Sequence, residues 1–113
     1  RAESKENPTI KVISGKTAAS SINVALPRDK IKALRAIENS EGKFITVNDN
    51  EIYAAVVDLA KKCGVFAEAG AAAAYAGAIK SGALKSSKTS VVLVTGSGLK
   101  DISGILKSGI LAI

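Results

Sequence analysis

The sequence predicts an α/β fold in which a parallel sheet is flanked by helices. One indication is Val91–Val94, a continuous apolar run, which is typical of a strand that is covered on both faces. Another is the pattern of residues 52–60, where apolar side chains recur at the spacing of one helix face. Because predicted strands and predicted helices alternate along the chain, we expect right-handed βαβ units.

Four short runs rich in β-branched and other apolar residues are the predicted strands. They are Thr9–Ile13, Phe44–Val47, Val65–Ala67 and Val91–Val94. The polar residues 1–8 precede the first run and end in an Asn-Pro turn signal, so we expect an exposed loop there. Ligands of open α/β sheets bind after the carboxyl ends of strands. Glu68 and Thr95 each follow a predicted strand and are therefore candidates for a binding site.

The first predicted helix has Pro27 in its first turn and ends at Gly42. Its apolar stripe consists of Ile31, Leu34 and Ile37.

The second predicted helix begins at the capping oxygens of residues 48–51 and ends at Gly64, after two lysines. Its predicted buried face is made of Ile52, Ala55, Val56, Leu59 and Ala60.

The third predicted helix is alanine-rich and runs from Glu68 to Ser81. Its glycines, Gly70 and Gly77, predict that the helix packs very closely against another part of the protein. Glu68 has two interpretations at this stage. Its carboxylate either faces a ligand pocket or stabilises the start of this helix through the helix dipole.

The composition excludes several classes of site. The 113 residues are enough for one domain with a core, and they include no histidine, which excludes histidine-based triads and metal centres within the chain. Cys63 has no partner for an internal disulfide, which favours a reducing cytosol, and we expect it to pack as a small apolar group. The chain begins with Arg1 and lacks methionine, so we interpret it as a fragment or a processed piece.

Charge and hydropathy argue against two kinds of partner. The net charge is +6, but the lysines are scattered and the aromatic residues are not interleaved with them, so no nucleic-acid partner is predicted. No apolar run is long enough to cross a bilayer, so no membrane partner is predicted either.

The stretch from Thr95 to Asp101 is the most informative part of the chain. Its hydroxyl-bearing Thr95 is followed by Gly96, Ser97 and Gly98. The glycines either merely supply unusual backbone angles or shape a loop that holds a ligand. Ser97 either belongs to that loop or caps the following turn. Lys100 and Asp101, at the end of the stretch, are expected to pair with each other or with a domain that is absent from this sequence.

Four segments in order resemble segments of threonine synthases, which are pyridoxal-phosphate enzymes of the tryptophan-synthase-like fold, known as fold type II. The segments are Thr17–Arg28, Glu38–Ile52, Gly64–Gly77 and Val91–Asp101. Two departures lie near the implied active site. The chain has Glu68-Ala69-Gly70-Ala71 where the family has Glu-Pro-Ala-Gly, and Ala25 where glycine is usual.

The resemblance implies a cofactor site. In that family the threonine at the Thr95 position gives its hydroxyl to the pyridine nitrogen of pyridoxal phosphate. The implied cofactor-binding residues are Thr95, Gly96, Ser97 and Glu68. No catalytic residue is predicted, because the family's Schiff-base lysine motif is not in this sequence, nor is its glycine-rich phosphate loop. No metal ligand is predicted either, since the chain has no histidine. We expect tyrosines Tyr53 and Tyr75 to be core or interface residues.

The resemblance also implies what the whole protein does. Residues 1–113 would be a single partial domain, the carboxy-terminal part of the larger, cofactor-binding domain. The intact enzyme would be a cytoplasmic lyase that converts O-phospho-L-homoserine and water into L-threonine and phosphate, and the chain alone would be inactive. Its expected partners are the remainder of the enzyme or a complementary chain, a small-molecule substrate and further copies in a homo-oligomer.

Two alternatives remain open from the sequence. One is a lyase related to serine/threonine dehydratases, which share the fold. The other is a non-catalytic binding module or relic domain. We expect the isolated chain to self-associate or to depend on a complementary chain, because its apolar end needs a cover. The residues of that end are Ile105, Leu106, Ile110, Leu111 and Ile113.

Overall fold

The computed structural model describes residues 11–86 and 88–109. Their α-helices are α1 (Lys30–Asn39), α2 (Asp49–Cys63), α3 (Ala69–Lys80) and α4 (Ile102–Lys107). Short 3-10 turns lie at Ser20–Ile22, Ala83–Lys85 and Gly98–Asp101. The chain forms two compact units. The first contains residues 11–16 and 24–44, and the second contains residues 17–23, 45–86 and 88–109.

The predicted parallel sheet is not confirmed, since no strand forms within the described ranges. Their one β-bridge joins Ala67 to Ser97 and is antiparallel. The physical reason is that a strand exists only through hydrogen bonds to a neighbour, and an apolar run does not specify which segment that neighbour is. The predicted loop 1–8 lies outside the described residues, as do Thr9 and Ile10 of the first predicted strand. Ile110, Leu111 and Ile113 of the predicted apolar end also lie outside them.

Residues 91–94 differ from the prediction of a run buried on both faces. Val91 is 90% exposed and Leu93 is 73% exposed, whereas Val92 and Val94 are partly buried. Side chains that alternate in this way belong to an extended backbone with one side against the protein. Val94 is the member of the run that packs against the core.

Helix α1, in the first unit, begins later than predicted. Asp29 is its N-cap, so Pro27 precedes the helix and does not lie in its first turn. Proline at this place ends the preceding segment without taking part in the helix. The predicted stripe is confirmed in outline, as its three members are half-buried: Ile31, Leu34 and Ile37.

The carboxyl end of α1 is closed by Glu41, which has a positive φ of 52°. The N–H of Gly42 donates to the Ile37 carbonyl at 2.8 Å, and the N–H of Glu41 donates to the Glu38 carbonyl at 3.1 Å. These two bonds form the usual helix-ending motif in which the left-handed residue is more often glycine. The prediction that Gly42 itself ends the helix is therefore wrong by one position.

Helix α2 follows the sequence prediction most closely. The Asn48 side chain accepts from the Glu51 N–H at 2.9 Å, and the Glu51 carboxylate accepts from the Asn48 N–H at 2.7 Å. This reciprocal capping box stabilises the first turn. The hydrogen bond from the Asn48 backbone, followed by the one from Lys80, lowers the pKa of Glu51. Gly64 ends the helix with a φ of 67°, as predicted.

The core of the second unit lies where α2 packs against α3. It is made largely of alanines, which allow the helices to approach closely. Its buried members are Ala19, Ile52, Ala55, Val56, Leu59, Ala67, Ala69, Ala71, Ala72, Ala76 and Ile105. Ala60, which was predicted to share the buried face of α2, is exposed.

The close packing predicted for the two glycines of α3 is found at one of them. A Cβ on Gly70 would collide with the side chain of Ser21. A Cβ on Gly77 would meet Ile45 at 3.8 Å, which is an ordinary contact distance. Gly70 therefore admits a neighbouring segment that alanine would keep away.

Replacing Asn48 with alanine should lower the free energy of unfolding by about 0.5–2 kcal/mol, because one N-cap acceptor is lost. Asn50→Ala is the matched control, since Asn50 is exposed in the first turn of the same helix. Chemical denaturation of both variants would measure the difference. Equal stability of the two variants would show that the capping box contributes nothing.

Candidate functional site

The predicted site residues meet where the loop that follows Val94 contacts the segment that leads into α3. The Glu68 N–H donates to the Gly96 carbonyl at 3.0 Å, and the Gly98 N–H donates to the Phe66 carbonyl at 2.8 Å. These two bonds surround the Ala67–Ser97 bridge. The structure therefore brings Glu68 together with the loop of Gly96 and Ser97, which are far apart in the sequence.

Both glycines of this loop are sites of close approach. A Cβ on Gly96 would collide with the Glu68 carboxyl group, and one on Gly98 would lie 2.7–2.8 Å from carbons of the Phe66 ring. Neither glycine has a positive φ; among the described residues, the glycines that do are Gly64, Gly82 and Gly109. The interpretation that Gly96 and Gly98 merely supply unusual backbone angles is therefore wrong. Glycine is needed at both positions because a side chain there would collide with Glu68 or Phe66.

Thr95 lies directly before this contact and is exposed. Its hydroxyl forms no hydrogen bond with another residue in the described parts of the chain. Ser97 acts as a cap, because its hydroxyl accepts from the Leu99 N–H at 3.3 Å. Thr95 is thus the residue of the loop whose hydroxyl can serve a ligand, while the hydroxyl of Ser97 is engaged within the loop.

Glu68 occupies the N-cap position of α3, yet its side chain accepts no hydrogen bond from the first turn. The residue is only 9% exposed. Its carboxylate lies against Gly96, and its Oε2 is 3.6 Å from the Nζ of Lys100. The Glu68 carboxylate therefore contacts the Thr95 loop, by which we mean residues 95–100.

The predicted pairing of Lys100 with Asp101 is not what the structure shows. Lys100 pairs with Glu68. Asp101 instead caps α4, its Oδ1 accepting from the Gly104 N–H at 3.1 Å. A carboxylate at a helix N-terminus satisfies an amide that lacks an intrahelical partner, which explains why Asp101 turns forward along the chain.

A second segment reaches the start of α3. The Asp49 carboxylate accepts from the Thr17 hydroxyl at 2.6 Å and from the Ala18 N–H at 2.9 Å. This anchors the following 3-10 turn, whose Ser21 and Ile22 lie against Gly70. Sequence reasoning missed this contact, although Gly70 signalled that some segment approaches there.

Tyr53 lies in α2 and Tyr75 lies in α3. Both side chains are half-buried against the core, as predicted. The Tyr53 hydroxyl donates to the Gly104 carbonyl at 3.4 Å, and burial raises its pKa. The Tyr75 hydroxyl donates to Asp58 at 2.9 Å, a bond that raises the pKa of Tyr75. Hydrogen bonds from Lys62 and then Tyr75 lower the pKa of Asp58. The Tyr53 bond joins α2 to α4, and the Tyr75 bond joins α3 to α2.

A groove of about 330 Å³ runs between α2 and α3. Its lining is mostly apolar, and the ion pair between Lys80 and Glu51, at 2.9 Å, belongs to its wall. None of the predicted site residues lines it. The groove is thus separate from the site that contains Glu68 and the Thr95 loop.

Residues 11–86 and 88–109 contain neither a metal-ligand cluster nor a membrane-spanning helix. No cluster of three or more metal-ligating side chains is present there. No helix in that part of the chain has the length and apolar character needed to cross a bilayer. Cys63 is exposed at the end of α2, so the expectation that it packs as an apolar group is wrong.

Comparison with known proteins gives one family. The family model of pyridoxal-phosphate dependent enzymes matches residues 1–96, a range that includes Glu68, Thr95 and Gly96 but not Ser97. A family of this kind supports the α/β fold class.

Several curated relatives of the chain are threonine synthases. The threonine synthase of Bacillus sp. (strain ULM1) is 44% identical over 88 residues, which is 75% of this chain and 25% of the relative. The threonine synthase of Mycobacterium tuberculosis (strain H37Rv) is 38% identical over 94 residues, 80% of this chain and 26% of the relative. That of Methanosarcina acetivorans is 38% identical over 100 residues, 86% of this chain and 23% of the relative. The chain thus spans about a quarter of the length of these relatives.

Proposed function

The chain belongs to the pyridoxal-phosphate dependent enzymes, and from this premise we propose that it is part of a threonine synthase. The proposed reaction of the intact enzyme converts O-phospho-L-homoserine and water into L-threonine and inorganic phosphate. The similarity to the threonine synthases of Bacillus sp. (strain ULM1) and Methanosarcina acetivorans supports this choice over a dehydratase.

The observation that carries the proposal is the state of the Thr95 hydroxyl. It is exposed and without a partner in the described part of the chain, while the backbone on its carboxyl side is held by two hydrogen bonds to the segment before α3. A loop that is fixed in its backbone and leaves one polar group unused is suited to binding a ligand.

The residues present fit pyridoxal phosphate. A neutral hydroxyl that can donate suits a pyridine nitrogen, which is an acceptor when it is unprotonated. When bound, this cofactor supplies an electron sink for carbanions of the substrate. In our proposal the Thr95 hydroxyl orients the ring, Gly96 allows the loop to approach Glu68, and Ser97 keeps the turn after Thr95 in place.

Other groups that the reaction requires are not among the residues of this chain. We propose that the lysine which binds the cofactor aldehyde and the loop which binds its phosphate belong to the remainder of the enzyme, a cytoplasmic, homo-oligomeric lyase. In the intact protein we also expect residues 91–94 to join a parallel sheet, which would cover Val91 and Leu93. This chain alone would then bind no substrate productively.

The activity itself has a direct assay. The intact protein should release inorganic phosphate from O-phospho-L-homoserine and form L-threonine in equal amounts. Formation of a keto acid from serine or threonine, without phosphate release, would instead indicate a dehydratase. Absence of both activities in cofactor-loaded protein would favour a non-catalytic module.

Replacing Thr95 with valine should weaken cofactor binding by about 0.5–1.5 kcal/mol, the usual value of one neutral hydrogen bond. The fold should remain intact, because the two side chains have nearly the same shape and Thr95 is exposed. Titration with pyridoxal phosphate would measure the effect. Thr89→Val is the control, since Thr89 is also exposed and lies outside the loop. Equal cofactor affinity in the two variants would remove Thr95 from the site.

A further inference from the structure

Glu68 is held in an unusual way for a residue at the start of a helix. It has the extended backbone of an N-cap, with φ of −68° and ψ of 158°, but its carboxylate does not bond to the amides of α3. The side chain is 12% exposed and lies against the backbone of Gly96. A largely buried carboxylate needs a compensating partner, and the helix does not provide one through a cap.

Lys100 provides that partner from the far end of the Thr95 loop. Its Nζ is 3.6 Å from the Glu68 Oε2, while its own side chain is 70% exposed. The Lys100 N–H donates to the Ser97 carbonyl at 3.2 Å, so the backbone at Lys100 is tied to the turn that follows Thr95. The ion pair therefore connects the start of α3 with the end of the loop.

Three contacts join the Thr95 loop to the segment that leads into α3. Two are backbone hydrogen bonds, at Gly96 and Gly98, and the third is the ion pair at Lys100. The backbone bonds fix the middle of the loop, but they do not involve a side chain. The ion pair is the contact whose strength depends on the chemical nature of a side chain at each end.

We propose that Lys100 is a positioning residue that acts with Glu68 to hold the Thr95 loop closed against the start of α3. In this arrangement the ion pair sets the orientation from which Thr95 presents its hydroxyl. The inference rests on the proposed function for what Thr95 binds, but the closure of the loop is a property of the protein alone.

The first test measures loop closure without the cofactor. In the intact protein, hydrogen exchange of peptides that cover residues 95–100 should be about two- to fivefold faster in Lys100→Met and in Glu68→Gln, as expected when one partly exposed ion pair is lost. The double variant should match either single variant, because both remove the same contact. Lys100→Arg should restore slow exchange. Lys61→Met, which changes an exposed lysine of α2, should leave the loop unchanged.

The second test measures the orientation of Thr95 through the bound cofactor. Lys100→Met should shift the fluorescence of bound pyridoxal phosphate and weaken its binding about two- to fivefold, and Lys100→Arg should restore both. A general loss of stability would not be expected to respond to restoration of the charge in this way.

The two tests separate the failures. Unchanged exchange in both Lys100→Met and Glu68→Gln would overturn the ion pair as a closing contact. Faster exchange with unaltered cofactor fluorescence and affinity would overturn its role in positioning Thr95. If the parent protein binds no pyridoxal phosphate, the proposed function fails, and the exchange measurement still decides whether the pair closes the loop.

Discussion

Replacing Ile105 with alanine is expected to lower the free energy of unfolding by about 2–5 kcal/mol. Ile105 is 1% exposed and is the α4 residue that reaches the core of the second unit. Truncation removes apolar contacts and leaves a cavity that the surrounding helices can fill only in part. Since α4 directly follows the Thr95 loop and its 3-10 turn, the loss should also loosen the far end of the site.

The matched control for this change is Leu106→Ala, because Leu106 is the next residue of the same helix and is 54% exposed. Chemical denaturation of the intact protein, followed by hydrogen exchange in α2 and α4, would measure both variants. If Ile105→Ala and Leu106→Ala lower the free energy of unfolding by the same amount, α4 does not anchor the loop through the core.

Replacing Gly98 with alanine should destabilise the site by about 1–3 kcal/mol, as overpacking typically does. The new Cβ would lie 2.7–2.8 Å from the Phe66 ring, and the Gly98 N–H is itself bonded to the Phe66 carbonyl. To relieve this contact, either the Phe66 ring must turn away or the backbone of the loop must move. We therefore expect the Thr95 loop to shift and cofactor affinity to fall by at least tenfold.

The cause of this effect can be checked by a second substitution. Phe66→Leu in the Gly98→Ala background removes the ring and should recover part of the lost affinity. Gly15→Ala is the control, since a Cβ on Gly15 would meet no atom within 4 Å. A Gly98→Ala protein that binds the cofactor normally would show that the loop tolerates a wider separation from Phe66.

The helices could be predicted because their signals are local. Asn48, Glu51 and Gly64 bound α2 in the sequence as they do in the structure, since capping acts between residues that are close along the chain. The end of α1 was misplaced by one residue because Glu41 adopts a backbone conformation that sequence patterns assign to glycine.

The strands could not be established in the same way, because pairing depends on distant segments. The run 91–94 is apolar throughout, yet Val91 and Leu93 are exposed. Hydrophobicity predicted burial, but the structure leaves one side of the run without a neighbour in the described residues. The parallel sheet stays a prediction for the intact protein.

The candidate site was predictable in its members but not in its contacts. The positions of Thr95 and Glu68 after apolar runs, together with the family resemblance, predict both as site residues, and the structure places Glu68 against the loop that contains Thr95. The side chain that approaches each glycine depends on contacts between segments about thirty residues apart in the sequence. The same is true of the pairing of Lys100 with Glu68 in place of Asp101. Such partners have no local signal.

The most direct test of the cofactor site is the chemical shift of the pyridine nitrogen in the intact enzyme loaded with ¹⁵N-labelled pyridoxal phosphate. Thr95→Val should move this shift, because it removes the hydroxyl that we propose donates to the nitrogen, and Thr95→Ser should leave it near the parent value. If parent, valine and serine proteins give the same shift, Thr95 does not bind the pyridine nitrogen and the assignment of this loop to the cofactor is wrong.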